Sequence, residues 1–252
     1  MLVTGSPQFQ LQDDFGFGDG IRLLSLPDSD PLSEDNLQSL LHFTDLEVDP
    51  TVEDTLVRLK VIFRQHEDPD LESLPKTLTS TTNLHELTCF VLHKLLTLPS
   101  HDPGPNSASE CLRYGTCVYM FIIHGPTYYS HATILNNLVL QLRDHLEMFL
   151  SSSNYKSSLV LWLLSVGLVG SFGTESHHWF VNQTAALSAS FDVRCWEHVE
   201  KTLRTVLWYD TKYTRMFGQV WVQIIESNPT HLNVAGAAGD PQWRVTSSPQ
   251  EG

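Results

Sequence analysis

The feature that most constrains the fold is a series of helix-length apolar patterns after residue 107, separated by short polar breaks. Apolar residues recur there at the spacing of an amphipathic helix, and no run shows the sustained alternation of a β-strand. Because long helical patterns with short connections are typical of packed helical arrays, we predict an all-α fold, an irregular array of about eight to ten helices. The predicted runs are 108–124, 131–151, 157–171, 175–190 and 195–226, the last breaking into two helices near Asp210.

The N-terminal half contains further helix signals. A capping signal at residues 33–35 precedes a run of leucines that ends at Leu46. A second helix is expected after Asp49, because Pro50 suits a first turn, and a third at Asn83, a residue type that commonly caps a helix. We therefore expect a flexible acidic leader over 1–32, a helical regulatory domain over 33–227 and a flexible tail over 228–252.

Charge is distributed unevenly along the chain. Of the net charge of −14, −12 falls in residues 1–75, which contain 16 acidic and 4 basic residues. Proteins that bind DNA neutralise its phosphates with clustered lysine and arginine, and no segment carries such a cluster. We expect no direct nucleic-acid binding by this chain. The aromatic residues among the acids of the leader resemble activation segments, and a merely solubilising leader is the alternative.

Cysteine spacing and the apolar runs indicate the compartment. Cys89, Cys111, Cys117 and Cys195 show no paired spacing, and the N-terminus has neither the basic start nor the apolar run of a secretory signal. Together these features favour a reducing compartment with free thiols. The most apolar run, 159–172, is about 14 residues long, too short to cross a bilayer. We expect no membrane partner.

Histidine clusters are the first candidates for chemistry. His85, Cys89 and His93 fall four residues apart on one predicted helix face, but a linear stripe supplies at most two ligands to a zinc ion. Ordinary packing is the alternative, because cysteine is often buried as a small apolar residue. His177 and His178 are expected to be polar residues on a first helical turn. We predict no metal and no cofactor here.

Three glycines, Gly167, Gly170 and Gly173, are the other candidate. A phosphate-binding loop would need a preceding strand and a following lysine, and neither is present. We interpret these glycines as small residues that allow a close helix approach. No known catalytic motif is present either, so we predict no catalytic residue and no enzyme.

The C-terminal half also carries an ordered set of tryptophan-bearing segments. Residues 105–226 resemble the fungal-specific transcription factor domain, the helical regulatory region of zinc-cluster regulators. The landmarks are 110–121, 161–167, Glu175 ahead of 179–180, 196–199, 207–210 and Trp221. Large aromatic residues, one for each helix, would anchor successive helices to a common core. The expected structural anchors are Trp162, Gly167, Trp179, Phe180, Trp196, Trp208 and Trp221.

The resemblance implies a function but not DNA recognition. The zinc module of that family requires six closely spaced cysteines, whereas this chain has four dispersed ones. We therefore expect a nuclear transcription-regulatory domain, either a standalone relative or part of a longer regulator. It would act through protein partners, such as the transcription machinery or a DNA-binding regulator, or through a small-molecule effector. A small-molecule-binding enzyme on the same helices and a cytoplasmic interaction module are the alternatives.

Overall fold

The computed structural model describes residues 48–67, 81–99, 107–126, 131–152, 157–191 and 193–227. These residues form eight helices and no strand, which confirms the predicted all-α array. The helix predicted after residues 33–35, the leader and the tail lie outside the described residues. The helices are α1 (Pro50–Glu67), α2 (Thr81–Leu96), α3 (Ser107–His124), α4 (His131–Ser152), α5 (Ser158–Gly170), α6 (His177–Ser190), α7 (Trp196–Val206) and α8 (Arg215–Ser227).

The first two helices begin in different ways. At the start of α1 the Asp49 carboxylate accepts the backbone N–H groups of Thr51, at 2.7 Å, and of Val52, at 3.4 Å. This is the N-cap geometry that leaves the first amides of a helix satisfied. The N-cap predicted at Asn83 is wrong, because α2 begins two residues earlier, at Thr81. Cap-forming residue types also precede Asn83, at positions 80–82, and the sequence alone does not rank them.

Helix α5 lies at the centre of the fold. It packs against α3, α4, α6, α7 and α8. Every residue from Leu159 to Gly170 is buried, as expected for a helix that is apolar on all sides. Two tryptophans bond to groups inside the protein here: the Trp162 indole donates to the Leu207 carbonyl at 2.8 Å, and the Trp221 indole donates to the Ser165 hydroxyl at 3.0 Å. Both hydrogen bonds fix the C-terminal helices against α5.

Two of the three glycines allow close packing around α5. A Cβ atom added at Gly167 would overlap the ring of Phe180 on α6, and one at Gly170 would lie 2.7 Å from Val118 on α3. The predicted close approach is thus confirmed at these positions. Gly173 differs, because α5 ends at Gly170 and nothing lies within 4 Å of its added Cβ. With φ of 79° it forms the turn that leads to α6.

The N-terminal helices cover the other side of α3. Helix α1 packs on α2 and α3, and α2 packs on α3. Lys60 of α1, 4% exposed, donates its ammonium to the backbone carbonyl of Thr205 in the last turn of α7. The partial negative charge at the helix C-terminus offsets part of the cost of burying this ammonium. Along the described ranges, no helix combines the length and the apolar character that a membrane crossing requires.

Candidate functional site

The expected anchors fall into two groups by burial. Gly167 and the side chains of Trp162, Phe180, Trp208 and Trp221 are buried, whereas Trp179 and Trp196 are half-buried and pack against the edge of the core. Trp179 contacts the neighbouring Phe180 ring edge to face, with centroids 4.9 Å apart. The prediction of a common core therefore holds for the first group. Trp179 and Trp196 pack at its edge, and part of each side chain stays exposed.

Trp196 borders an open cleft between α7 and α8. The cleft has a volume of about 740 Å³, within the usual range for small-molecule sites. Its walls come from two helical stripes of four-residue spacing, Trp196 and Glu200 on α7 and residues 215, 219 and 223 on α8. We call it the α7–α8 cleft. Its lining residues are Trp196, Glu200, Trp208, Asp210, Thr214, Arg215, Gly218, Gln219, Val222 and Gln223.

The cleft forms because α7 and α8 are both amphipathic, and each buries only its apolar face. Helix α7 buries Val199, Leu203 and Val206 against the core, and α8 buries another apolar face, formed by Phe217, Val220, Trp221 and Ile224. The remaining faces supply the residues that line the cleft, together with part of the connection 207–214. Thr214 stabilises that connection, since its hydroxyl donates to the Thr211 carbonyl at 2.6 Å and accepts from the Thr211 N–H at 3.2 Å.

The aromatic part of the cleft is formed by two tryptophans and a glycine. A Cβ atom added at Gly218 would meet the Trp196 indole at 3.3–3.5 Å, so the indole rests directly on the backbone of α8. The Trp196 and Trp208 rings lie 6.2 Å apart, and Trp208 packs on Phe217 of the core. The Trp208 indole donates to Asp210 at 2.8 Å. Trp208 is thereby held firmly, while Trp196 presents an accessible part of its ring.

Charges in the cleft are paired on one wall. Arg204 donates to Glu200 at 2.8 Å and to Asp210 at 2.7 Å, and its guanidinium lies 5.7 Å from the centre of the Trp208 ring. Both carboxylates of the α7 side are thus engaged by one arginine. On the α8 wall, Arg215 has no carboxylate within ion-pair distance in the described part of the chain.

The histidine cluster of the sequence forms a different contact elsewhere. His85 of α2 lies beside His124 of α3, with Nδ1 and Nε2 3.2 Å apart, and the Cys89 sulfur is 3.6 Å from the other ring nitrogen of His85. Burial lowers the pKa of His124, and the neighbouring His85 and His131 add to the effect. Among the described residues no group of three or more histidine, cysteine or acidic side chains has a metal-binding arrangement.

The remaining candidate residues take ordinary structural positions. His177 begins α6 as predicted, with its Nδ1 3.1 Å from the Ser171 hydroxyl, and His178 is exposed beside it. All four cysteines are free thiols. Burial raises the pKa of Cys117 to about 12 and raises that of Cys111 well above its usual range, so neither thiol is reactive at neutral pH.

Sequence reasoning missed the α8 wall of the cleft. Arg215, Gln219 and Gln223 follow one another at four-residue intervals, which places them on one face of a helix. The same spacing relates Trp196, Glu200 and Arg204. Each stripe is visible in the sequence, but only the packing of α7 beside α8 brings the two together.

The described residues thus define a class, an all-helical domain with an aromatic cleft at its C-terminal end. No protein-family model, no curated protein and no solved structure matches the chain. The resemblance to the fungal-specific transcription factor domain stays a prediction.

Proposed function

We propose that this chain is a transcription-regulatory helical domain that works in the nucleus through a protein partner or a small-molecule effector. The observation that carries the proposal is the open α7–α8 cleft, in which Trp196 keeps part of its ring accessible. Partly exposed tryptophan in a concave site is typical of recognition surfaces, because it offers a large apolar area and a hydrogen-bond donor. The cleft lies within the segment that resembles the regulatory region of zinc-cluster regulators.

The rest of the domain suits a scaffold for that cleft. Helix α5 is buried along nearly its whole length and contacts both α7 and α8. A recognition surface on a well-packed element binds more tightly, since less conformational entropy is lost when a ligand binds. The enzyme alternative predicts a pocket with convergent histidine, aspartate or tyrosine groups. The cleft contains Asp210 but neither histidine nor tyrosine, and this alternative stays a prediction.

The direct test is a tethered reporter experiment. The full chain is fused to a heterologous DNA-binding module in a fungal reporter strain, and transcription from the matching promoter is measured. We expect a change of several-fold relative to the DNA-binding module alone, and we expect a fluorescently tagged chain to accumulate in the nucleus. An unchanged reporter, or a tagged chain that stays in the cytoplasm, would contradict the proposal.

Two variants assign the effect to the cleft. Trp196→Ala removes the accessible indole and should abolish most of the reporter response. Phe172→Ala is the matched control, because Phe172 is also an aromatic residue, is 67% exposed and lies outside the cleft. We expect the control to behave as wild type. Equal loss of response in both variants would show that exposed aromatic residues matter in general, and would remove the cleft from the proposal.

A further inference from the structure

The two walls of the α7–α8 cleft differ in how their polar groups are satisfied. On the α7 wall, Glu200 and Asp210 are both bonded to Arg204. On the α8 wall, the Arg215 guanidinium and the side-chain amides of Gln219 and Gln223 have no hydrogen-bond partner among the described residues. The guanidinium and amide groups left for a ligand therefore lie on α8, at its first, fifth and ninth positions.

The sign of the available charge follows from this difference. A cationic ligand would have to compete with Arg204, which already engages both carboxylates and lies over the Trp208 ring. An anionic ligand meets Arg215 without such competition. Arg215 is also the first residue of α8, where the N-terminal end of the helix adds positive potential. A carboxylate suits this position because arginine binds it with two parallel hydrogen bonds.

The shape of the ligand follows from the indole. Trp196 rests on the backbone of α8 at Gly218, with no side chain between them, and its exposed ring surface borders the cleft beside the α8 stripe. A flat aromatic ring is the group that stacks best on such a surface. The amides of Gln219 and Gln223 lie on the same wall and can bond to polar substituents of the ring. The volume of about 740 Å³ leaves ample room for a small molecule of this kind.

We propose that the α7–α8 cleft binds a small planar aromatic carboxylate, with its ring on Trp196 and its carboxylate on Arg215. This inference rests on the proposed regulatory function, since it names the class of effector that would act through the cleft. It assigns separate tasks to two residues: Trp196 recognises the ring, and Arg215 recognises the charge.

The test is calorimetric titration of the purified full chain with three probes. These are 2-naphthoate, its uncharged analogue 2-naphthamide, and cyclohexanecarboxylate, which carries the charge on a ring that is not flat. We expect 2-naphthoate to bind about tenfold or more tightly than either of the others, a difference typical of one lost charged hydrogen bond or one lost stacking contact. Equal binding of the acid and the amide would overturn the assignment of charge. No binding of 2-naphthoate at millimolar concentration would overturn the inference.

Variants of Arg215 test the recognition of the charge. Arg215→Gln should weaken 2-naphthoate binding to the level of the amide and leave amide binding unchanged, and Arg215→Lys should restore part of the affinity. Lys201→Gln is the matched control: it removes one exposed positive charge from α7, outside the cleft, and should leave binding unchanged. If it weakens binding as much as Arg215→Gln does, recognition by Arg215 is contradicted. Both substituted residues are exposed, and thermal melting verifies that the variants fold.

The outcome separates this inference from the proposed function. A reporter response that depends on Trp196 without any binding of 2-naphthoate would overturn the ligand class and leave the regulatory function standing. Binding that depends on Arg215, with an unchanged reporter, would support the ligand site and contradict the regulatory function.

Discussion

The centre of the domain and the α7–α8 cleft use the same residue type for opposite purposes. Around α5, Trp162 and Trp221 are at most 1% exposed, and each indole N–H donates to an acceptor inside the protein. At the cleft, Trp196 is half-buried: its ring rests on the α8 backbone at Gly218, and the rest of the indole is partly accessible. The residue type is the same in both regions, and the side chains and backbone packed around it determine whether it stabilises the core or stays accessible.

Tryptophans that recur along the chain, one for each helix, therefore need not all lie in the core. A tryptophan surrounded by helices on all sides stabilises the fold by burying its area. A tryptophan at the outer edge of two helices contributes less to stability, so its truncation costs less free energy of unfolding, and its ring is available for binding. The following substitutions measure how different the two regions are.

Trp162→Ala should have the largest effect on stability. The change removes a fully buried indole and leaves the Leu207 carbonyl without its donor, so we expect a loss of about 3–5 kcal/mol in the free energy of unfolding. Trp196→Ala should cost about 1 kcal/mol, since its ring is already partly hydrated. Urea denaturation followed by circular dichroism measures both. Equal losses of stability in the two variants would mean that Trp196 is packed as tightly as the buried Trp162.

Gly167→Ala should have the next largest effect. The new methyl group would overlap the Phe180 ring, which is itself fully buried and has no space to move into. We expect a loss of about 1–3 kcal/mol, even though alanine favours the helical conformation over glycine. Phe180→Leu gives the control, because a smaller side chain removes the overlap. If Gly167→Ala costs as much in the Phe180→Leu background as in wild type, the overlap is not the cause.

The sequence predicted the centre better than the cleft for a physical reason. Helix α5 is apolar on every side, and this local property predicts a buried helix. Its bounds differ from the predicted 157–171 by one residue at each end. The predicted break near Asp210 also corresponds to the connection between α7 and α8. These features depend on residues close together in the chain.

The cleft depends instead on how two helices pack. Each stripe, with Trp196 on α7 and Arg215 on α8, is a local pattern that a solvated helix face would show equally well. The bonds of Arg204 to Glu200 and Asp210 decide which charges remain available, and they depend on the path of the chain between the helices. For the same reason the sequence grouped Trp196 with the buried anchors. A single sequence does not contain that tertiary information.

Lys60 links α1 to the last turn of α7, the helix that carries Trp196. Burial lowers its pKa from the usual 10.5 to about 8, and the nearby Arg64 adds to the shift. Between these two values the unfolded chain binds more protons than the folded one, so the contribution of Lys60 to stability rises with pH from about 8 to 10.5. We expect the rise to be on the order of 1–3 kcal/mol.

The comparison with Lys60→Met isolates this contribution. Cys111 and Cys117, whose pKa values are raised by burial, lower the stability of both proteins over the same pH range. The difference in the free energy of unfolding between wild type and variant cancels that common effect. We expect the wild type to gain on the variant as the pH rises above 8. Parallel pH profiles would contradict a proton-linked contact between α1 and the end of α7.

Gly218→Ala should have the smallest effect on stability. It tests directly whether the ring beside a helix glycine can move at the cleft, as it cannot at Gly167. The added methyl group would lie 3.3 Å from the Trp196 indole, so the ring must move by a few tenths of an ångström. Unlike Phe180, Trp196 is half-buried and can move outward, and alanine stabilises the helical conformation by up to about 1 kcal/mol. We therefore expect the free energy of unfolding to change by less than about 0.5 kcal/mol.

The same substitution should alter the cleft while leaving the fold intact. Displacement of the ring should shift the Trp196 indole N–H signal in nitrogen–proton NMR spectra and should weaken 2-naphthoate binding several-fold, because stacking depends on the position of the ring. The Trp162 and Trp221 indole signals serve as internal controls, since both rings are buried against α5, and they should stay in place. A loss of stability as large as that of Gly167→Ala would mean that Trp196 is packed as tightly as the centre. The contrast between a closed core and an open cleft would then no longer hold.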